Sequence, residues 1–275
     1  MDRSRQGSGD RTRVKGWALL STILLTLLAA SGVQAESVHF PSVATGPAPG
    51  GPEITATLYR PAGEGPAPAI VLAHTCAGMN AHTQLWAKRL TDWGYVVLAP
   101  DSFKPRGVSN VCAHGNVVTA NQRVADMRGA LDFLATLPFV QHDRIGLIGH
   151  SHGGWTAMRA AQEPYHLAAH GLRAVVAYYP ACQAAFDTEV DVPLLILIGD
   201  KDDWTIANNC RRLQAAGFTR PELVQAVYYP NAYHSFDMPA PPRSYENHHL
   251  AYDADAAKDA EARTKAFFAR YLTPR

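Results

Sequence analysis

Short runs that are apolar on both faces recur along the chain and alternate with helix-length segments, and this alternation constrains the fold more than any other feature. "AIVLAH", "YVVLAP", "RIGLIGHS", "AVVAYYP" and "PLLILIGD" are separated by segments with helical patterning near 81–93, 119–136, 153–162 and 205–216, and "LVQAVYYP" leads to a closing amphipathic segment near 254–272. A strand with no polar face must be covered on both sides, which is the situation of a parallel sheet between two helical layers. The expected class is therefore α/β, doubly wound and mostly parallel. No internal repeat, low-complexity tract or Pro/Gly/Ser-rich linker divides the chain, so one domain is expected over 36–275.

Residues 1–35 read differently. Arg3, Arg5, Arg11, Arg13 and Lys15 precede the apolar run "WALLSTILLTLLAA", and "SGVQA" follows with small residues at Val33 and Ala35. That order is a secretory signal peptide cut after Ala35. The apolar run is too short to span a bilayer comfortably, so no stable membrane insertion is expected once the leader is removed, and the mature protein would be periplasmic or secreted. The 25 basic residues less those five, against the 24 acidic less Asp2 and Asp10, leave 20 and 22, a formal charge of −2 that gives no footprint for nucleic acid. The four cysteines, Cys76, Cys112, Cys182 and Cys210, are even in number in an exported chain and lack any C-x-x-C unit, which favours two disulfides over a zinc site.

In a doubly wound sheet the reactive groups collect just beyond the carboxyl ends of the strands. After "RIGLI" comes Gly149-His150-Ser151-His152-Gly153, a G-x-S-x-G sequence whose small residues allow a sharp turn that exposes a serine oxygen. After "PLLILIG" come Asp200, Asp202 and Asp203, and after "QAVYYPNAY" comes His234. The order Ser, Asp, His is that of an α/β-hydrolase triad: the imidazole removes the hydroxyl proton, and the carboxylate fixes the imidazole tautomer and its charge. The oxyanion of the tetrahedral intermediate needs two backbone N–H groups, one from His152, after the nucleophile, and one from the loop His74-Thr75-Cys76-Ala77-Gly78, where Cys76 is selected.

On "HTCAGMN", "DSFKPRG", "GHSHGG", "GDKDDWT", "YHSFD" and the last helix, nearly all of the mature chain resembles the dienelactone hydrolase family of α/β-hydrolases. The resemblance implies an aspartate in a G-x-x-D arrangement, mapping to Gly199 and Asp202 with Asp203 as the alternative, and a second oxyanion N–H at Cys76. It also implies an arginine for a substrate carboxylate near Arg106. The namesake enzymes carry a cysteine nucleophile where this chain has Ser151, and a glutamate linked to that thiol where it has Thr75. The implied activity is thus that of a serine hydrolase of small carboxylic esters or lactones on the same scaffold, rather than of an enzyme for dienelactone itself. The strand order usual in α/β-hydrolases sets "AIVLAH" beside "YVVLAP" and "AVVAYYP" beside "PLLILIG", which pairs Cys76 with Cys112 and Cys182 with Cys210.

Neither cofactor nor metal is expected: His150-x-His152 and His248-His249 lack a third ligand at motif spacing. Only Ala181 to Val192 separate "AVVAYYP" from "PLLILIG", too few for a cap domain, so an open pocket for small soluble substrates is expected. An acyltransferase would use the same triad, and a binding protein could keep the fold without its chemistry.

Overall fold

The apolar runs form the middle of one sheet. The computed structural model describes residues 34–63 and 65–273, so all but the last two residues of the expected leader lie outside the described residues. The strands are β1 (Gln34–Pro41), β2 (Glu53–Arg60), β3 (Ala67–Ala73), β4 (Val96–Pro100), β5 (Val140–His150), β6 (Leu172–Tyr178), β7 (Leu194–Gly199) and β8 (Val224–Tyr229), in the spatial order β1-β2-β4-β3-β5-β6-β7-β8. Pairing is parallel from β4 through β8 and antiparallel for β1 with β2 and β2 with β4. Every residue of β4 and β7 is buried, as central strands require, whereas β2 alternates and has one face toward solvent.

Helices α1 (Ala81–Asp92), α2 (Ala120–Ala135), α3 (His152–Ala160), α4 (Ala207–Ala216) and α5 (Ala254–Leu272) cover the sheet. Their starts are set by local chemistry. Asn80 caps α1 by accepting from His82 and Thr83 N–H, and Thr119 with Gln122 forms a reciprocal capping box on α2. Phe268 and Leu272 of α5 lie against Gly146 in β5, where a Cβ would collide with the Phe268 ring. A small hairpin, β9 (Arg243–Tyr245) with β10 (His248–Leu250), stands outside the main sheet. Its tyrosine hydroxyl accepts from Asn110 Nδ2 at 2.9 Å, tying the hairpin to the loop after β4.

The connection between β6 and β7, residues 179–193, carries no helix or strand, and among the described residues no cap domain sits over the carboxyl end of the sheet. Disulfides join Cys76 to Cys112 and Cys182 to Cys210. The first links the loop after β3 to the loop before α2; the second links the loop after β6 to α4. Among the described residues no helix is long and apolar enough to cross a membrane.

Candidate active site

The turn from β5 into α3 is tight because Gly149 and Gly153 have no side chain to obstruct it. A Cβ on Gly149 would strike the Gly153 carbonyl oxygen, and one on Gly153 would strike that of Ala73. Ser151, between them, is held at φ 56° and ψ −116°, a conformation an L-residue adopts only under constraint from its surroundings. Its N–H donates to Tyr178 O at 3.0 Å, which fixes the turn to the end of β6.

Ser151 Oγ lies 2.9 Å from His234 Nε2, and His234 Nδ1 lies 2.8 Å from Asp202 Oδ2. Asp202 is buried, and its other oxygen accepts from the N–H groups of Trp204 and Thr205 at 2.9 and 2.8 Å. A carboxylate acceptor at Nδ1 selects the tautomer with its proton there, leaving Nε2 free to receive the serine proton. Asp203 instead accepts from His249 N–H and lies 3.6 Å from His248, and Asp200 pairs with Arg211 at 2.6 Å. Neither reaches His234.

Cys76 and His152 flank Ser151, and among the described residues the backbone N–H of neither donates to a protein acceptor. Two side chains that the sequence does not mark for the site, Arg123 and His74, hold these two segments. Buried Arg123, on α2, donates from Nη2 to His74 O and from Nη1 to His152 Nδ1, each at 2.8 Å. Because a guanidinium only donates, His152 carries its proton on Nε2, which donates to Gly115 O at 2.8 Å. Burial, and then the Arg123 charge, lower the His152 pKa to about 4, and burial lowers that of Arg123 to about 9. His74 accepts from Ser102 N–H at Nε2 and lies 2.8 Å from its neighbour's carbonyl at Nδ1, a neutral imidazole whose pKa burial holds well below its usual value.

Below the turn lies a second buried polar group. Asp237 accepts from Trp86 Nε1 at 2.6 Å and Tyr179 OH at 2.7 Å, with His82 Nε2 at 2.9 Å. Burial would raise the Asp237 carboxyl, but the His82 charge and hydrogen bond outweigh it and hold the pKa well below the usual range. The Tyr179 ring packs 4.7 Å from that of His234, so this group supports the histidine from beneath. Among the described residues, His82, His150 and Asp237 form the one cluster of metal-ligand types, and each Asp237 oxygen already accepts from a donor outside that cluster, Trp86 Nε1 or Tyr179 OH. The His150 ring packs at a tilt against those of Trp86 and Tyr178, with centroids 4.8 and 4.7 Å distant.

The cavity at Ser151 measures about 380 Å³ and is lined by His82, Trp204, Met238, Arg243, Tyr245 and Leu250 among others. Arg106 does not line it, which corrects the expectation of a substrate-binding role. Its guanidinium makes two 2.8 Å bonds to the fully buried Asp126 and one of 2.7 Å to Ser102 O. A buried carboxylate without such a partner would be costly, so the arginine is committed to the fold. The cation in the cavity wall is Arg243, on the β9–β10 hairpin, and among the described residues it has no ion-pair partner.

An eight-stranded, mostly parallel sheet in this order, with a serine on a strained turn after its central strand, defines an α/β-hydrolase. The profile of the dienelactone hydrolase family matches residues 54–272, and the chain belongs to that family of hydrolases. Among curated relatives, a carboxymethylenebutenolidase of Pseudomonas putida is 28% identical over 185 residues, 62% of this chain and 75% of the relative. Among solved structures, a dienelactone hydrolase-like promiscuous phosphotriesterase from metagenomic libraries superposes with a TM-score of 0.69 at 22% identity, covering 87% of this chain and 99% of the other. The dienelactone hydrolase of Anabaena variabilis gives a TM-score of 0.61 at 20% identity, covering 87% and 99%.

Proposed function

We propose that the protein is a serine hydrolase of small carboxylic esters or lactones that works through an acyl-enzyme on Ser151. One observation carries the proposal: an unbroken hydrogen-bonded chain from Ser151 Oγ through His234 to buried Asp202, at 2.9 and 2.8 Å. In the first half-reaction Ser151 Oγ bonds to the ester carbonyl carbon as His234 Nε2 takes its proton, and the carbonyl π electrons move to oxygen. The N–H groups of Cys76 and His152 hold that oxyanion. When the tetrahedral intermediate collapses, the carbon–oxygen bond to the alcohol breaks and His234 gives its proton to the leaving oxygen. Water then gives a proton to His234 and bonds to the acyl carbon; the ester to Ser151 breaks, the serine oxygen regains the proton, and a carboxylic acid departs. Asp202 stays ionised and stabilises the imidazolium in both halves.

Export fits this reading. Residues 1–35 act as the cleaved leader, and two disulfides suit an oxidising compartment outside the cytoplasm. The test is hydrolysis of a panel of small esters and lactones by wild type beside Ser151→Ala. Turnover should fall by on the order of 10⁴ or more in a variant that remains folded. Undiminished hydrolysis by folded Ser151→Ala contradicts the proposal.

A further inference from the structure

Ser151 lies where two cavities meet. The larger, of about 380 Å³, is bordered by His234, Met238 and Leu250; the smaller, of about 210 Å³, is bordered by Val111, Gly115, Asn116, His152 and Trp155. Cys76, Cys112, Ser151 and Trp204 border both, whereas His234 borders only the larger and His152 only the smaller. Past Trp155 lies a third cavity, of about 560 Å³, with Tyr165 and Phe186 in its wall, and Trp155 is the single residue that it shares with the smaller one.

Given the proposed acyl-enzyme chemistry, on which this inference rests, that division decides where each half of an ester lies. His234 must pass its proton to the leaving oxygen, so the alcohol portion occupies the cavity His234 borders. With the alcohol portion on the His234 side of Ser151, the acyl chain takes the other opening at the serine, the cavity that His152 borders. Open-chain esters prefer the conformation in which the acyl and alkyl arms point away from each other. A small lactone ring forces both arms to one side of the ester and fills only one of the two cavities. We infer that the enzyme takes open-chain esters with a short acyl group and a larger, mostly apolar alcohol portion, and that the Trp155 indole sets the limit on acyl length. The larger cavity suits such an alcohol, having Met238, Leu250 and Tyr245 in its wall. The smaller one ends at Trp155, with more than its own volume of open space behind the ring.

The test uses wild type with phenyl acetate, butyrate and octanoate, with 2-naphthyl acetate, and with dihydrocoumarin, a lactone whose phenol leaving group matches that of phenyl acetate. Each kcat/KM is divided by the hydroxide-catalysed rate of the same compound. The expected order is a fall of at least tenfold from acetate to octanoate, 2-naphthyl acetate equal to or better than phenyl acetate, and phenyl acetate ahead of dihydrocoumarin. In Trp155→Ala the octanoate-to-acetate ratio should rise at least tenfold, and in Trp155→Phe it should rise less. An octanoate rate at or above the acetate rate in wild type overturns the inference, as does a preference for the lactone. A folded Trp155→Ala with an unchanged ratio overturns the role of the indole. These results all require turnover; a protein that hydrolyses none of the compounds instead contradicts the acyl-enzyme reading beneath the inference.

Discussion

Arg123 Nη1 donates to His152 Nδ1 at 2.8 Å while Nη2 of the same guanidinium donates to the carbonyl of His74 at 2.8 Å. One fully buried side chain thereby ties together the two segments that carry the Cys76 and His152 N–H groups. Asp126, the nearest carboxylate partner on α2, is engaged by Arg106. Arg123→Met should therefore lower kcat by about 10- to 100-fold with a smaller change in KM, because the loss falls on oxyanion stabilisation rather than on substrate binding. Steady-state kinetics on a short acetate ester checks this, and Arg123→Lys should recover only part of the loss, since an ammonium cannot span both acceptors with fixed geometry.

The three aspartates after β7 differ in what they touch, and their asparagine variants should separate accordingly. Asp202→Asn should reduce kcat by on the order of 10⁴, since an amide favours the wrong imidazole tautomer. Asp203→Asn and Asp200→Asn, which lose contacts to the β9–β10 hairpin and to Arg211, should stay within about tenfold of wild type. A larger defect in Asp203→Asn than in Asp202→Asn would put the wrong carboxylate behind His234.

The ease of reading this site from sequence follows from what a one-dimensional pattern records. Ser151, Asp202 and His234 could be singled out because each follows an apolar run, and strand ends are where a doubly wound sheet gathers its chemistry. Asp202 could be separated from its neighbours only by its spacing from Gly199. Arg123 was invisible: in "ANQRVADMRGALDFLA" it reads as one more charged residue on a helix, and its contacts lie 29 and 49 residues away. Arg106 by residue type fits a substrate carboxylate and Asp126 equally well, and only the fold says which is present. The strands of the β9–β10 hairpin have three residues each, too short for alternation to register, so nothing in the sequence marks Arg243 and Tyr245 as walls of the cavity.

The two disulfides close comparable lengths of chain but should differ in effect on catalysis. Separations of 36 and 28 residues give each about 3 to 4 kcal/mol of stabilisation in the chain-entropy model. Cys76–Cys112 borders both cavities at Ser151, whereas Cys182–Cys210 anchors the loop after β6 to α4. Cys112→Ser should therefore lower kcat several-fold more than Cys182→Ser, while both lower the urea midpoint. Equal losses of kcat would detach the first disulfide from the catalytic loop.

Stability should fall on acidification below neutrality. Burial holds His74 and His150 well below the usual imidazole range and His152 at about 4, so the native state keeps all three neutral while the unfolded chain takes up protons below about pH 6.5. The stabilisation is complete above that pH and declines as pH drops toward the folded values, by about 3 kcal/mol for His152 alone between pH 6.5 and 4. Asp187, which burial raises to about 6, and Asp191, which burial also raises, work in the opposite sense over the acid end of this range, whereas His170, lowered by burial, adds to the imidazole side, two groups against four. Thermal unfolding from pH 7 to 4.5 should show a steadily falling Tm. His150→Phe, at a position where neither ring nitrogen has a hydrogen-bond partner, should flatten the slope. A Tm independent of pH over this range would mean that these imidazoles are not held neutral.

The acyl-enzyme itself is the most direct test of the account. Wild type mixed with excess phenyl acetate and quenched in acid within one turnover should gain the mass of one acetyl group, localised by peptide mapping to the segment containing Ser151. Asp202→Asn should accumulate the adduct more slowly, and Ser151→Ala should not form it. The corresponding fluorophosphonate adduct should map to the same residue. Hydrolysis that proceeds with no adduct at Ser151 under either reagent, or with an adduct on another side chain, would contradict the central claim.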